Sequence, residues 1–427
     1  MTDARRISTK ERVEAGLARR YRRERRFKFL GMSATTVGVL FLLTFFWTLV
    51  QEGKSAFVQT FIDLDVEFSA EMLAPGGTTD LAFADFDAVP RNALRARFPD
   101  VSGRAERREL YQLVSIGAGF QIRDMIIADP SLVGTVQTIR VPASANVDMV
   151  IKGNIDRNLP EAQRPVSDRQ IEWIDALAGD GALSTQFNTA LFLNGDSREP
   201  ELAGVRGALV GSFLMLLITI GLSFPIGAAA AVYLEEFAPR NRWADLIEVN
   251  INNLAAVPSI IFGLLGLAVF INWMAIPRSS PLVGGLVLSL MTLPVVIIAS
   301  RASIKAVPPS IREAALGLGA SRTQVMLHHV LPLAMPGMLT GAIIGMSRAL
   351  GESAPLLMIG MVAFIVDVPS GFTDPATALP VQVYLWADSP ERAFVERTSA
   401  AIIVLLAFLI AMNTFAVIMR RRFERRW

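Results

Sequence analysis

Six apolar runs govern what this chain can become. Residues 29–50, 207–234, 251–276, 282–300, 337–366 and 398–419 are each long and apolar enough to cross a hydrocarbon layer about 30 Å thick, which takes roughly 20 helical residues. Backbone polar groups in such a layer must pair within the chain, and a single helix achieves this alone. A sequence that is 52% hydrophobic and only 19% charged falls outside the ordinary soluble class. The pattern predicts an all-α polytopic membrane protein with six transmembrane helices. Cysteine is absent, which excludes disulfides, thiolate catalysis and cysteine metal sites.

The first run follows a basic segment and precedes a long polar stretch, the layout of a secretory signal. It is longer than a signal core, and residues 47–54 offer no small-x-small cleavage site, so it reads as an uncleaved anchor. Orientation follows from Lys and Arg near the helix ends. Residues 1–28 hold 11 of them, the loop at 302–336 holds Lys305, Arg312 and Arg322 just after Arg301, and the tail at 421–427 adds Arg421, Arg422, Arg425 and Arg426. With six alternating helices all three regions share one side, so both termini and the 302–336 loop are expected in the cytoplasm. The N-terminal cluster is a retention signal under this rule, and no nucleic-acid partner is expected from it.

Residues 51–205 then lie outside the cytoplasm. They carry 14 Lys and Arg against 23 Asp and Glu, a net of −9, and are long enough for a small domain with its own core. Strand-like content at 57–68, "TVQTIRVP" (135–142) and "VDMVIKG" (147–153), with helical stretches at 104–127 and 168–178, predicts a mixed α+β insertion. No catalytic constellation is visible in it. Residues 206–420 form the transmembrane domain. Its helices are rich in small residues, with Gly207 and Gly211, Gly227 with Ala228–Ala231, and Gly263 with Gly266 on close-packing faces. Pro225, Pro258 and Pro294 are expected to interrupt their helices.

Between the fourth and fifth helices, "EAALGLGASRTQVMLHHVLPLAMPG" (313–337) is a polar interruption containing both histidines. Ser310 with Glu313, and Ser321 with Gln324, are capping-box spacings. Gly317 and Gly319 permit a left-handed stop, and Pro332 disfavours helix at Leu331. The expected unit is helix, turn, helix, with Ala314, Ala315 and Gly319 exposed as a low-relief docking face. Adjacent His328 and His329 point in different directions on a helix, so they read as solvated or interface residues and not as a metal site. Arg348, 11 residues beyond Gly337, falls about 16 Å into the fifth helix at 1.5 Å per residue. A guanidinium near mid-membrane should face the bundle interior, where its fork suits an oxyanion. The alternative is a structural pair with Glu352, four residues on.

Glu313-Ala314-Ala315, three residues, Gly319, and Leu331-Pro332 after eleven more resemble the signature of permease subunits of binding-protein-dependent ABC importers. "VPSIIFGLLG" (257–266), "VPPSIREAALGLGASR" (307–322), "SRALGESAPLLMIG" (347–360) and "LPVQVYLWADSP" (379–390) narrow the resemblance to the phosphate-type (PstA) subunits, in an extended subgroup carrying an extracytoplasmic insertion. The resemblance covers about residues 205–427. It implies a type I ABC importer permease bundle of the MetI-like kind in the bacterial inner membrane, and a coupling role for Glu313, Ala314, Ala315, Gly319, Leu331 and Pro332. It also implies two ATP-binding subunits, a homologous partner permease of different sequence, and an extracytoplasmic phosphate-binding protein as partners. Arg348 and Glu352 are the candidate pathway residues. Other oxyanions such as sulfate, molybdate or phosphonate are the alternative cargo, and a membrane-anchored sensor the alternative class. "EGKS" (52–55) imitates the end of a phosphate-binding loop, but Thr48 stands where the loop needs glycine. The chain is therefore expected to be no enzyme, to need no cofactor, and to leave ATP hydrolysis to another subunit.

Overall fold

A computed structural model describes residues 9–69, 73 and 84–423. The chain divides into two compact units, Met1–Glu52 and Gly53–Trp427. The first is helix α1, Thr9–Gly53, which contains the anchor expected at 29–50. Phe29, Phe41 and Trp47 are among the apolar side chains it leaves exposed. Thr35, Thr44 and Thr48 turn their hydroxyls back to the carbonyls four residues earlier at 3.0, 2.9 and 3.0 Å, which removes donors that hydrocarbon could not satisfy. Arg5, Arg6, Arg425 and Arg426, counted in the orientation argument, lie outside the described residues.

The second unit opens with the insertion. Strands β1 (Val58–Glu67), β2 (Val136–Pro142) and β3 (Leu183–Phe187) form an antiparallel sheet in the order β2-β1-β3. Helices α2 (Ala88–Arg97), α3 (Arg104–Tyr111), α4 (Gly117–Ala128), α5 (Ala145–Ile151) and α6 (Asp168–Gly179) surround it. Ile62, Leu64 and Val66, alternate residues of β1, are buried with Leu110, Ile122, Ile174 and Leu177 from the helices. This period-2 burial is what fixes the strand's register. The helix expected at 104–127 is broken between Tyr111 and Gly117. The stretch 147–153 is helical, not a strand: a four-residue apolar run reads either way, and extended Ser144 starts a helix there.

Helices α7 (Arg206–Val232), α8 (Arg242–Ala255), α9 (Ser259–Gly266), α10 (Pro281–Lys305), α11 (Pro309–Gly317), α12 (Leu331–Gly351), α13 (Ala354–Met358), α14 (Leu379–Ala387) and α15 (Ala393–Phe423) make the rest. Among the described residues five helices are long and apolar enough to cross a membrane, or six if the bent pair α8 and α9 is one span. Most buried of them is α10. Side chains added at Gly284 or Gly285 would strike Met215 and Ile218 of α7, and at Gly341 or Gly345 would strike Ala299 and Thr292. Small residues at these crossings let the backbones close up.

Two expectations are corrected. The span at 251–276 is bent by 101° between α8 and α9, because Pro258 opens α9 with extended backbone and restricts Val257 before it. Pro225 and Pro294, by contrast, sit inside continuous helices. The helix expected at 337–366 ends at Gly351: Glu352 is extended and Pro355 restarts the chain as the one-turn helix α13. Side chains added at Gly263 of α9 would strike Pro355, so the two broken elements cross closely.

A buried charge cluster joins the insertion to the start of α15. Lys152 lies 2.5 Å from Asp148 and 3.0 Å from Glu396, with its side chain only 6% exposed. Ser55 and Asn154 donate to the same Glu396 at 2.7 and 2.9 Å. Arg397, 1% exposed, lies in the field of Glu396, Asp148 and Glu201. Removing one member leaves the others buried and uncompensated, which costs about 3–5 kcal/mol. Lys152→Met is expected to lower thermal stability of the detergent-solubilised chain by that order, with part of the loss recovered in Lys152→Met/Glu396→Gln. Unchanged melting of the single variant would contradict the arrangement.

Candidate functional site

The loop between α10 and α12 is a sequence of defined stops and starts. Pro309 occupies the first turn of α11, and no side chain caps it. The capping box expected at Ser310 and Glu313 is therefore absent, since the helix starts at Pro309, two residues before a Ser310 cap would allow, and Glu313 is left exposed. At the other end Gly319 has φ +85°. The Ala320 N–H donates to Ala315 and the Gly319 N–H to Leu316 at 3.1 and 2.9 Å, the paired bonds of a left-handed helix stop. Gly317 takes no such conformation. Ser321 and Gln324 then form the expected reciprocal cap, at 2.9 and 3.3 Å.

Beyond Gln324 the chain widens into π-helical turns at Val325–Val330 and runs without a stop into α12. The stop expected at Leu331 does not occur. Pro332 falls in the first turn of α12, where a missing N–H is tolerated, and the widened turns before it accommodate the ring.

Ala315, Val325, Met326 and Val330 are buried against Ala231, Ile304, Val307 and Met338 at the ends of α7, α10 and α12. The bare face expected of Ala314, Ala315 and Gly319 is thus divided. Ala315 points inward, while Ala314 and Gly319 remain exposed beside Glu313. Leu316, Leu327 and Leu318, the last 90% exposed, complete an apolar surface on this outer side. Leu331 and Pro332 are half-buried at the base of α12, and both histidines are exposed.

Two arginines that entered the sequence reading only through the orientation argument hold this segment. Arg312 donates from Nε to Glu236 at 3.0 Å and from its other nitrogens to the carbonyls of Val307 and Ile304, each at 2.8 Å. Arg301 pairs with Glu235 at 2.5 Å and Glu248 at 2.8 Å. Glu235 and Glu236 belong to the π-helical end of α7, Tyr233–Phe237. The 309–330 segment is thereby fastened to α7, and α7 to α8 and α10. The acidic pair at the end of an apolar run was the available sequence signal.

Arg348 occupies the last turn of α12, which is not mid-helix as the 337–366 span required. Its guanidinium lies 3.5 Å from Glu352, with the side chains 46% and 22% exposed. A cation there also complements the helix C-terminus. The preceding residue, Ser347, donates to Asn413 of α15 at 2.6 Å and so ties this end of α12 to α15. The structure brings Arg348 and Glu352 together and places them away from the 309–330 segment, at the other end of α12.

The model of the binding-protein-dependent transport system inner membrane component matches residues 223–427, and that of a domain of unknown function (DUF3333) matches residues 14–161. The chain is 30% identical over 225 residues to the phosphate transport system permease protein PstA of Haemophilus influenzae, covering 53% of this chain and 78% of that one. It is 30% identical over 228 residues to PstA 1 of Mycobacterium tuberculosis, covering 53% and 74%. With the probable ABC transporter permease protein YqgI of Bacillus subtilis it shares 37% over 158 residues, 36% of this chain and about half, 52%, of that protein. Among solved structures, an inward-facing MetNI methionine ABC transporter chain aligns over 52% of this chain and 96% of its own length, at 19% identity and a TM-score of 0.42.

The helical half is an ABC importer permease domain. The chain belongs to the PstA family of phosphate transport system permease proteins.

Proposed function

We propose that this chain is one membrane half of an ATP-driven phosphate importer. The segment Pro309–Val330 is its contact with a separate ATP-binding subunit, and the Arg348 region is part of its path. The observation that carries the coupling role is the exposed Glu313, Ala314 and Leu318 face on a helix fastened through Arg312 to α7. A surface so held passes displacement to the bundle instead of flexing alone. Leu318, with Leu316 and Leu327 also exposed, offers apolar area that suits a groove on another protein.

Positive charge on the loop and tail supports a cytoplasmic side for them at a bacterial inner membrane, with the insertion on the other side. Two ATP-binding subunits, a second permease chain of different sequence, and an extracytoplasmic phosphate-binding protein complete the assembly. Hydrolysis of ATP belongs to the partner subunits. Their approach and separation move α11 with α7, α10 and α12, and change the side to which Arg348 is open. A guanidinium in that position offers paired donors to a tetrahedral oxyanion.

The deciding measurement is uptake of labelled phosphate in cells whose other phosphate importers are deleted, with and without this chain and its partners. Competition by sulfate, molybdate and phosphonate tests the cargo; no uptake above the deletion strain would overturn it. Arg312→Ala is expected to leave the ATPase bound but lower uptake per ATP by about five- to 150-fold, the range of coupling energies of 1–3 kcal/mol. Equal loss of ATPase binding and uptake would assign Arg312 to docking instead of transmission.

A further inference from the structure

A cavity of about 1490 Å³ opens on the insertion, walled by α2, α3 and the turn that precedes α15. Its charge runs against that of its domain. Residues 51–205 carry 14 basic residues against 23 acidic ones, yet six of those 14, all arginines, line this one cavity. Arg91 and Arg95 stand one turn apart on α2, and Arg104, Arg107 and Arg108 cover the first turns of α3. Arg392 approaches from the opposite wall. The acids among the lining residues are Asp87, Glu199, Glu201 and Glu391.

Most of this positive charge is uncommitted. Among the described residues Arg104, Arg107, Arg108 and Arg392 make no ion pair, and Arg107 bonds only the Val101 carbonyl at 3.3 Å. Tyr111 holds the α2 pair in place: the guanidinium carbons of Arg91 and Arg95 lie 5.9 and 5.3 Å from its ring centre, and Arg95 also donates to its hydroxyl. Deeper in the wall Arg164, whose side chain is 4% exposed, has an Nε without a partner among the described residues. Ser144 Oγ and Glu201 Oε2 are likewise buried without partners there. Of the cavity's acids only Asp87 forms an ion pair with one of its arginines, Arg91 at 3.3 Å, among the described residues; burial pushes the Glu201 and Glu391 carboxyls upward.

We propose that this cavity binds a multivalent oxyanion, a small molecule carrying several phosphoryl or carboxylate groups, at a site separate from the Arg348 region. Guanidinium forks match both kinds of group in paired geometry. Residues at i,i+3 and i,i+4 spacing share one face of each helix, their Cβ atoms roughly 5–6 Å apart, and the cavity they line is larger than the 300–1,000 Å³ or so of an ordinary small-molecule pocket. One orthophosphate engages a few of the guanidiniums and leaves the others repelling one another. A ligand with several anionic groups answers the whole wall.

The test is calorimetric titration of the full chain in nanodiscs with tripolyphosphate, citrate and orthophosphate at physiological salt. Saturable binding of tripolyphosphate or citrate is expected, with orthophosphate at least about tenfold weaker; which multivalent probe binds identifies the anionic group. Arg104→Ser/Arg107→Ser/Arg108→Ser is expected to weaken binding at least about tenfold. Arg123→Ser/Arg157→Ser/Arg169→Ser makes the same change in net charge outside the cavity and is expected to leave it unchanged. Arg392→Glu, on an exposed turn, provides a second loss variant that does not touch the insertion's helices. Absence of saturable binding, equal affinity for orthophosphate, or equal weakening by the two triple variants would overturn the site. None of these readings depends on uptake, so the transport function stands or falls separately.

Discussion

Glu313→Lys is expected to reduce phosphate uptake by about tenfold or more, with the ATP-binding subunits no longer co-purifying in stoichiometric amount. Glu313 is exposed on α11, and its side chain makes no hydrogen bond or ion pair among the described residues. Surface changes of that kind usually alter stability by no more than about 0.5 kcal/mol. The chain should therefore fold and insert as before, and a lost function would report on the missing partner. Reversing a charge at a docking surface juxtaposes like charges or removes a complement, which costs several kcal/mol in recognition. Leu318→Asp, on the same outer side, should act in the same direction. Normal uptake and normal association in both variants would remove Pro309–Val330 from the interface.

Arg348→Ala carries the second large effect. The exposed pair with Glu352 contributes about 0–1 kcal/mol to stability, so the variant should be made in normal amount. Loss of a charge-assisted contact to a passing oxyanion corresponds to about 1.5–3 kcal/mol, or roughly a ten- to 150-fold fall in uptake. The exchange Arg348→Glu/Glu352→Arg separates the two roles of the pair. A purely structural salt bridge survives the exchange and restores uptake, whereas an anion contact does not. Glu352→Gln should retain most of the uptake if Arg348 acts on the anion. Restored transport in the exchange variant would assign the pair to structure alone.

What the sequence made legible was local. Run length and hydropathy anticipated the five helices long and apolar enough to cross a membrane among the described residues, and the Ser321 and Gln324 cap and the Gly319 stop formed as their chemistry required. Local rules failed where two of them competed. Ser310 and Glu313 have capping spacing, but the prolines at 308 and 309 start the helix earlier. Pro332 reads as a helix stop, but the preceding turns widen around it. The run at 337–366 is long and mostly apolar, yet Gly351 and Pro355 divide it.

Long-range partners were out of reach. Arg301 and Arg312 meet acids 66 and 76 residues away, and only the packing of α7 on α10 and α11 brings them together. The arginine-lined cavity was hidden for a different reason: summed over residues 51–205, the acids outnumber the bases. A net charge cannot show that one concave wall has the opposite sign.

The Lys152 cluster has a consequence for how the chain is made. Glu396 is 244 residues downstream of Lys152 and 341 downstream of Ser55. At a synthesis rate of about 5–20 residues per second, the insertion waits on the order of 12–50 seconds for the carboxylate that completes its base. During that interval the nascent insertion holds Lys152 and Asp148 without their third partner. Ribosomal release before α15 emerges would leave it in that state permanently, a distinguishable substrate for membrane proteases.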